Sequence, residues 1–74
     1  MQTPIDYARN HIRGSINIPL EHIEREIMKV VYDKQTRIVV YCQRGIRSEV
    51  ACIILEKLGY RNVYNMNGGF ENGG

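Results

Sequence analysis

The sequence predicts an α/β fold in three layers, a parallel sheet flanked by helices, and three observations carry that expectation. Arg37-Ile38-Val39-Val40-Tyr41 is β-branched and apolar on both faces, the pattern of a strand covered above and below. Residues 21–32 place Ile23, Ile27, Val30 and Val31 at helical spacing, with Glu24, Arg25, Glu26 and Lys29 mostly on the other side. Helical and strand patterns then alternate along the chain, which implies parallel strands joined by right-handed crossovers.

Taken in order, Thr3-Pro4-Ile5-Asp6 offers a capping hydroxyl, a proline at the first helical position and an acid three residues after the cap. A short helix through Tyr7 and Arg9 is expected. Gly14 breaks the chain, and Ser15-Ile16-Asn17-Ile18 alternates polar and apolar until Pro19 stops ladder pairing, which reads as a short strand. The amphipathic helix over residues 21–32 follows, then the strand over residues 37–41, with Cys42 at its carboxyl end. Ser48 is placed to cap a helix containing Val50, Ala51, Ile54, Leu55 and Leu58, and Gly59 supplies its left-handed stop. Residues 60–66 make a last strand, and only Gly68-Gly69 and the Asn72-Gly73-Gly74 tail look loose.

Seventy-four residues make one domain, residues 1–74, because a chain this short buries only about 60% of its unfolded surface and has no room for a second core. A hydrophobic fraction of 43% and a charged fraction of 24% suit an ordinary globular chain. The longest unbroken apolar run, residues 50–55, is far short of the roughly 20 residues that span a bilayer, so no membrane association is expected. Met1-Gln2-Thr3-Pro4 has neither the basic start nor the apolar stretch of a secretory signal, so the expected location is cytoplasmic, or periplasmic if a leader has been removed. Cys42 and Cys52 fall in one strand-loop-helix unit, where a disulfide between them is geometrically disfavoured, and free thiols suit a reducing compartment. A net charge of +2 does not announce a nucleic-acid protein, yet Lys34, Arg37, Arg44 and Arg47 form a run with no intervening acid around Cys42.

In open α/β sheets, ligands gather at the carboxyl ends of strands, where loops lead into helix N-termini with unpaired N–H groups. Cys42 occupies that position. A free thiol with a pKa of about 8.5 is only a few per cent ionised at neutral pH, so a nucleophilic cysteine needs surroundings that stabilise its anion. Lowering that pKa by about two units requires about 2.7 kcal/mol, more than the ~2 kcal/mol a helix dipole supplies at most. Arg44, Arg47 and inward N–H groups of the loop, with Gly45 permitting a tight turn, are the candidates for the remainder.

Other residues carry less. His11 and His22 read as structural, and together with Cys42 and Cys52 they show no zinc-ligand spacing. Cys52 lies among Ala51, Ile53 and Ile54 and reads as packing, while Glu49 reads as a solvated acid. Tyr32, Tyr41, Tyr60 and Tyr64 do not interleave with basic residues and read as sheet and helix packing, not as a base-stacking platform.

Three segments in order resemble the rhodanese family. They are Tyr7 with Asn10-His11-Ile12-Arg13-Gly14-Ser15-Ile16-Asn17-Ile18-Pro19, then Val39-Val40-Tyr41-Cys42-Gln43-Arg44-Gly45-Ile46-Arg47-Ser48, then Leu58-Gly59-Tyr60-Arg61-Asn62-Val63-Tyr64 with Gly68-Gly69. The resemblance implies a rhodanese-like fold and a sulfurtransferase. In it Cys42 takes a sulfane sulfur from thiosulfate or a similar donor, holds it as a persulfide and passes it to cyanide or a thiol. It further implies that N–H groups of Gln43, Arg44, Gly45, Ile46, Arg47 and Ser48 cradle the sulfur, that Arg44 and Arg47 attract the anionic donor, and that no metal or organic cofactor takes part. Phosphatases that resemble rhodaneses need an arginine six positions after the cysteine, where this chain has Ser48. The family's usual first strand, ending in Asp-x-Arg, has no counterpart before Thr3-Pro4, and the tryptophan usual after Gly68-Gly69 is also missing. One sheet position is therefore expected to be empty or filled by another molecule, with self-association through an uncovered strand edge. The alternative to an enzyme is a non-catalytic sulfur carrier, sensor or protein-binding module of the same fold.

Overall fold

A computed structural model describes residues 2–42 and 46–67 of the chain. It contains β1 (Gln2–Arg9), β2 (Ile12–Pro19), a 3-10 turn (Leu20–His22), α1 (Ile23–Val30), β3 (Arg37–Cys42), α2 (Ile46–Lys57) and β4 (Asn62–Asn67). The four strands form one sheet in the order β2-β1-β3-β4. β1 runs antiparallel to both β2 and β3, and only β3 and β4 are parallel. The α/β class stands, but the sheet is mixed, which corrects the expectation of parallel strands throughout.

The source of the difference is residues 3–9, which form a strand where a helix is expected. Arg9 pairs with Ile12, so Asn10 and His11 make a two-residue hairpin loop. Asn10 has φ 56°, the left-handed region that such loops need at their first position and that asparagine tolerates. In this hairpin Thr3 and Ile5 are buried while Pro4 is exposed, so the capping pattern gives way to a period of two. Pro4 pairs with Asn17, and the ladder to β3 begins at Ile5, so the missing N–H of Pro4 falls where β1 has a paired neighbour on one side only. Among the described residues the chain's own β1 and β4 lie on the two sides of β3. Gly14 pairs with Tyr7, whose ring lies so close that a Cβ at Gly14 would overlap it.

One face of the sheet carries the core. Ile5, Ile18, Ile38 and Val40 are buried together with Ile23 and Ile27 of α1, Val31 just after it, Ala51 and Leu55 of α2, and Tyr60. Fully burying one such aliphatic side chain stabilises the fold by about 1.5–3 kcal/mol. The alternate residues Pro4, Asp6 and Ala8 of β1, Arg13, Ser15 and Asn17 of β2, and Arg37, Val39 and Tyr41 of β3 are exposed or half-buried. Both described helices therefore rest on one face. Val30 is exposed where a core position is expected, because Ile23, Ile27 and Val31 already complete the buried stripe. Tyr32 and Tyr64 are exposed too, so the packing role expected of them falls to Tyr60.

The two helices are tied together at their C-terminal ends. Gly59 at φ 103° ends α2, with the N–H of Tyr60 donating to the Leu55 carbonyl at 3.1 Å and that of Gly59 to the Glu56 carbonyl at 3.0 Å. This pair of bonds is a Schellman stop, closed by apolar contact between Tyr60 and Leu55. The Tyr60 hydroxyl donates to the buried Val31 carbonyl after α1. Lys34 Nζ donates to the Leu58 carbonyl at 2.8 Å and lies 4.4 Å from the centre of the Tyr60 ring. Among the described residues no helix is long and apolar enough to cross a membrane.

Candidate active site

β3 ends at Cys42, whose backbone is in register with Asn67 of β4, and α2 begins at Ile46. The first turn of a helix has N–H groups without internal partners and carries the positive end of the helix dipole. A chain that leaves a strand at Cys42 and enters a twelve-residue helix at Ile46 therefore brings such an end close to the cysteine. α2 packs on β3 and β4, which fixes that approach from both sides of the strand-helix-strand unit. Ile46, Arg47 and Ser48 lie in the first turn of α2. Ser48 is thus the third helical residue and not the cap, a correction that follows from the helix starting three residues earlier than expected. Gln43, Arg44 and Gly45, the rest of the expected cradle, lie outside the described residues, as do the side chains of Cys42, Ile46, Arg47 and Ser48.

Thr3 adds a feature that the sequence alone does not single out. β1 and β3 are antiparallel with Ile5 opposite Val40, so Thr3 lies toward the end of β3 that carries Cys42. Its hydroxyl is buried and has no hydrogen-bond partner among the described residues, and a buried hydroxyl left unbonded costs about 1–3 kcal/mol.

The second cysteine behaves differently. Cys52 is a free thiol, half-buried on α2 and packed against the core. Burial first, then the charges of Glu56 and Glu49, push its pKa up to about 11. It is a packing residue, as its apolar neighbours suggest. Glu49 is exposed in the first turn of α2, and His11 is exposed at the hairpin tip. His22 is half-buried with Nδ1 2.5 Å from Arg25 Nη2. Among the described residues no three His, Cys, Asp or Glu side chains gather as metal ligands would.

The open face of the sheet holds a polar cluster that the sequence reading missed. Ser15 Oγ donates to Asp6 Oδ1 at 2.6 Å, and the Tyr41 hydroxyl also hydrogen-bonds Asp6. Burial, then the Asp6 charge and that hydrogen bond, raise the pKa of Tyr41. The signal was the alternation within residues 3–8, which a helical reading of the same residues conceals.

The described residues thus form an α/β domain in which strand β3 ends at a cysteine shortly before the start of α2. The match narrows this further: the chain belongs to the Rhodanese-like domain family, whose pattern it fits over residues 2–73. It is 38% identical over 68 residues to the thiosulfate sulfurtransferase PspE of Escherichia coli (strain K12), covering 92% of this chain and 65% of that protein. It is 34% identical over 74 residues to the uncharacterized protein YqhL of Bacillus subtilis (strain 168), covering 100% of this chain and 57% of that one. It is also 34% identical over 73 residues to a tRNA uridine(34) hydroxylase of Sodalis glossinidius (strain morsitans), covering 93% of this chain and 21% of that protein. The chain spans less than two thirds of the length of each of these relatives. No solved structure matches it.

Proposed function

We propose that this domain is a sulfurtransferase acting through a persulfide on Cys42. The observation that supports the reading most is the position of Cys42, the last residue of β3 with α2 starting at Ile46, in a chain of the rhodanese-like family. In the first step the Cys42 thiolate attacks the outer sulfur of thiosulfate. The sulfur–sulfur bond of the donor breaks, sulfite leaves with the electron pair, and Cys42 carries the transferred sulfur. In the second step cyanide or a thiolate attacks that terminal sulfur, and the Cys42 thiolate leaves, ready for another cycle. The electrons balance within the two displacements, so no external oxidant or reductant enters.

Backbone N–H groups from Gln43 to Ser48, with Arg44 and Arg47, are proposed to hold the donor and the bound sulfur by the logic of an anion cradle. Likeness to the Escherichia coli thiosulfate sulfurtransferase supports thiosulfate as the donor class. Incubation with thiosulfate followed by mass spectrometry tests the reading: a gain of one sulfur atom on Cys42, lost in Cys42→Ala together with thiocyanate formation, is the expected result.

A second reading, a non-catalytic carrier or binding module, is favoured by one finding. The same domain makes up a minor part of proteins named tRNA uridine(34) hydroxylases, where it sits inside a longer chain with a different named activity. A chain that neither gains sulfur nor turns over thiosulfate, while remaining folded, would establish that reading instead.

A further inference from the structure

The open face of the sheet carries a second polar site, remote from Cys42. Ala8 is paired with Arg13 on one side and with Arg37 on the other, so two arginines of neighbouring strands flank one small residue in a single cross-strand row. Two strand spacings separate their backbones by about 9.5 Å, a gap that two guanidinium groups can close from both sides over a methyl floor. Among the described residues neither arginine has an ion-pair partner; the ion pairs formed there are Arg9 with Asp33 and Lys29 with Glu26. Folding thus places two guanidinium charges in one row against a single lining carboxylate, Asp6, leaving a positive excess that an anion would neutralise.

The row opens into a groove of about 440 Å³ lined by Asp6, Ala8, Arg13, Ser15, Arg37 and Val39 together with the paired Tyr7 and Gly14. That volume lies in the range of small-molecule sites, about 300–1,000 Å³. Asp6 selects further. Its carboxylate, held by Ser15 and Tyr41, repels a second phosphate but can accept a hydrogen bond from a hydroxyl or ammonium group. Arg37 begins β3 and Cys42 ends it, about 16 Å away along the strand, so the groove and the cysteine form separate sites.

We propose that the open sheet face binds a compact phosphorylated molecule. Its phosphate lies between Arg13 and Arg37 over Ala8, and a hydroxyl or ammonium group of the same molecule reaches Asp6. Arginine recognises phosphate through paired N–H donors, and two arginines present four such contacts without rearranging the backbone.

The test is amide NMR titration of the intact chain at low ionic strength with inorganic phosphate and with O-phosphoethanolamine. Saturable shifts at Ala8, Arg13 and Arg37 are expected for both, with phosphoethanolamine tighter by about threefold or more. Arg13→Ala/Arg37→Ala should weaken both ligands at least about tenfold. Should that variant not fold, Arg13→Lys/Arg37→Lys keeps the charge, loses the paired donors and should still weaken binding severalfold. Asp6→Asn should abolish the preference for phosphoethanolamine and leave phosphate bound. Cys42→Ala should bind as the parent does, which separates this site from the sulfur-transfer reading. Absence of saturation, shifts that survive loss of both arginines, or tighter arginine-dependent binding of single-stranded oligouridylate would each overturn the proposal.

Discussion

The two faces of the sheet are made from the same strands and do opposite work. On the helix side, Ile5, Ile38 and Val40 have no exposed surface. One residue along in each strand, Asp6, Arg37 and Val39 lie on the opposite face and line a polar groove. Strand geometry sends successive side chains to opposite faces, so a single hairpin supplies both a core wall and a binding surface. The lesson is that stability and recognition in this small domain are separable by residue parity, and substitutions at adjacent positions should have very different consequences.

The sharpest check pairs neighbours on β3. Ile38→Ala should cost about 2–5 kcal/mol, enough to leave a 74-residue domain largely unfolded, as urea titration would show. Val39→Ala, one residue away on the open face, should cost below about 1.5 kcal/mol. Equal losses would break the comparison, because they would mean that the open face is packed as tightly as the other.

Next in size is the tie between the helix ends. Tyr60→Phe leaves the Val31 carbonyl buried without its donor and should lower stability by about 1–3 kcal/mol, read from the shift in denaturation midpoint. Thr3→Val should move the other way, raising stability by about 1 kcal/mol, since it replaces a buried hydroxyl that has no partner among the described residues with a methyl of the same shape. A loss of stability there would show that the hydroxyl is bonded in solution.

The chemistry of the covered face is also visible in pH. Folding holds the Cys52 proton more tightly than the unfolded chain does, so the contribution of this thiol to stability is intact below the ordinary thiol pKa of about 8.5. It is lost as pH climbs through the folded value of about 11. Denaturation midpoints between those limits should fall less steeply in Cys52→Ala. Iodoacetamide at pH 8 should label Cys42 well before Cys52. The smallest effect is expected at the surface: Arg9→Ala breaks the exposed pair with Asp33 at 2.6 Å and should cost no more than about 1 kcal/mol, and less in high salt.

Local patterns were readable wherever a single element carries its own signal. The spacing of Ile23 and Ile27, the glycine stop at Gly59 and the β-branched run ending at Cys42 all predict elements that the structure contains. The candidate cysteine was legible for the same reason, as the end of one strand followed by one helix. Residues 3–9 failed because Thr-Pro-x-Asp is a genuine local helix signal, and the pairing that overrides it involves residues 12–19 and 37–40. The groove was hidden with it, since Arg13, Ala8 and Arg37 share a row only once the register of two ladders is known.

By itself, the order of residues determined the family, the α/β class and the position of Cys42 at a strand end, because periodicity, caps and motif spacing act over a few residues at a time. Tertiary structure alone decided that the sheet is mixed, that both described helices lie on one face and that two arginines meet across an alanine. Those outcomes depend on which strands pair and in what register, and pairing is governed by the burial of Ile5, Ile18, Ile38 and Val40 in one shared core.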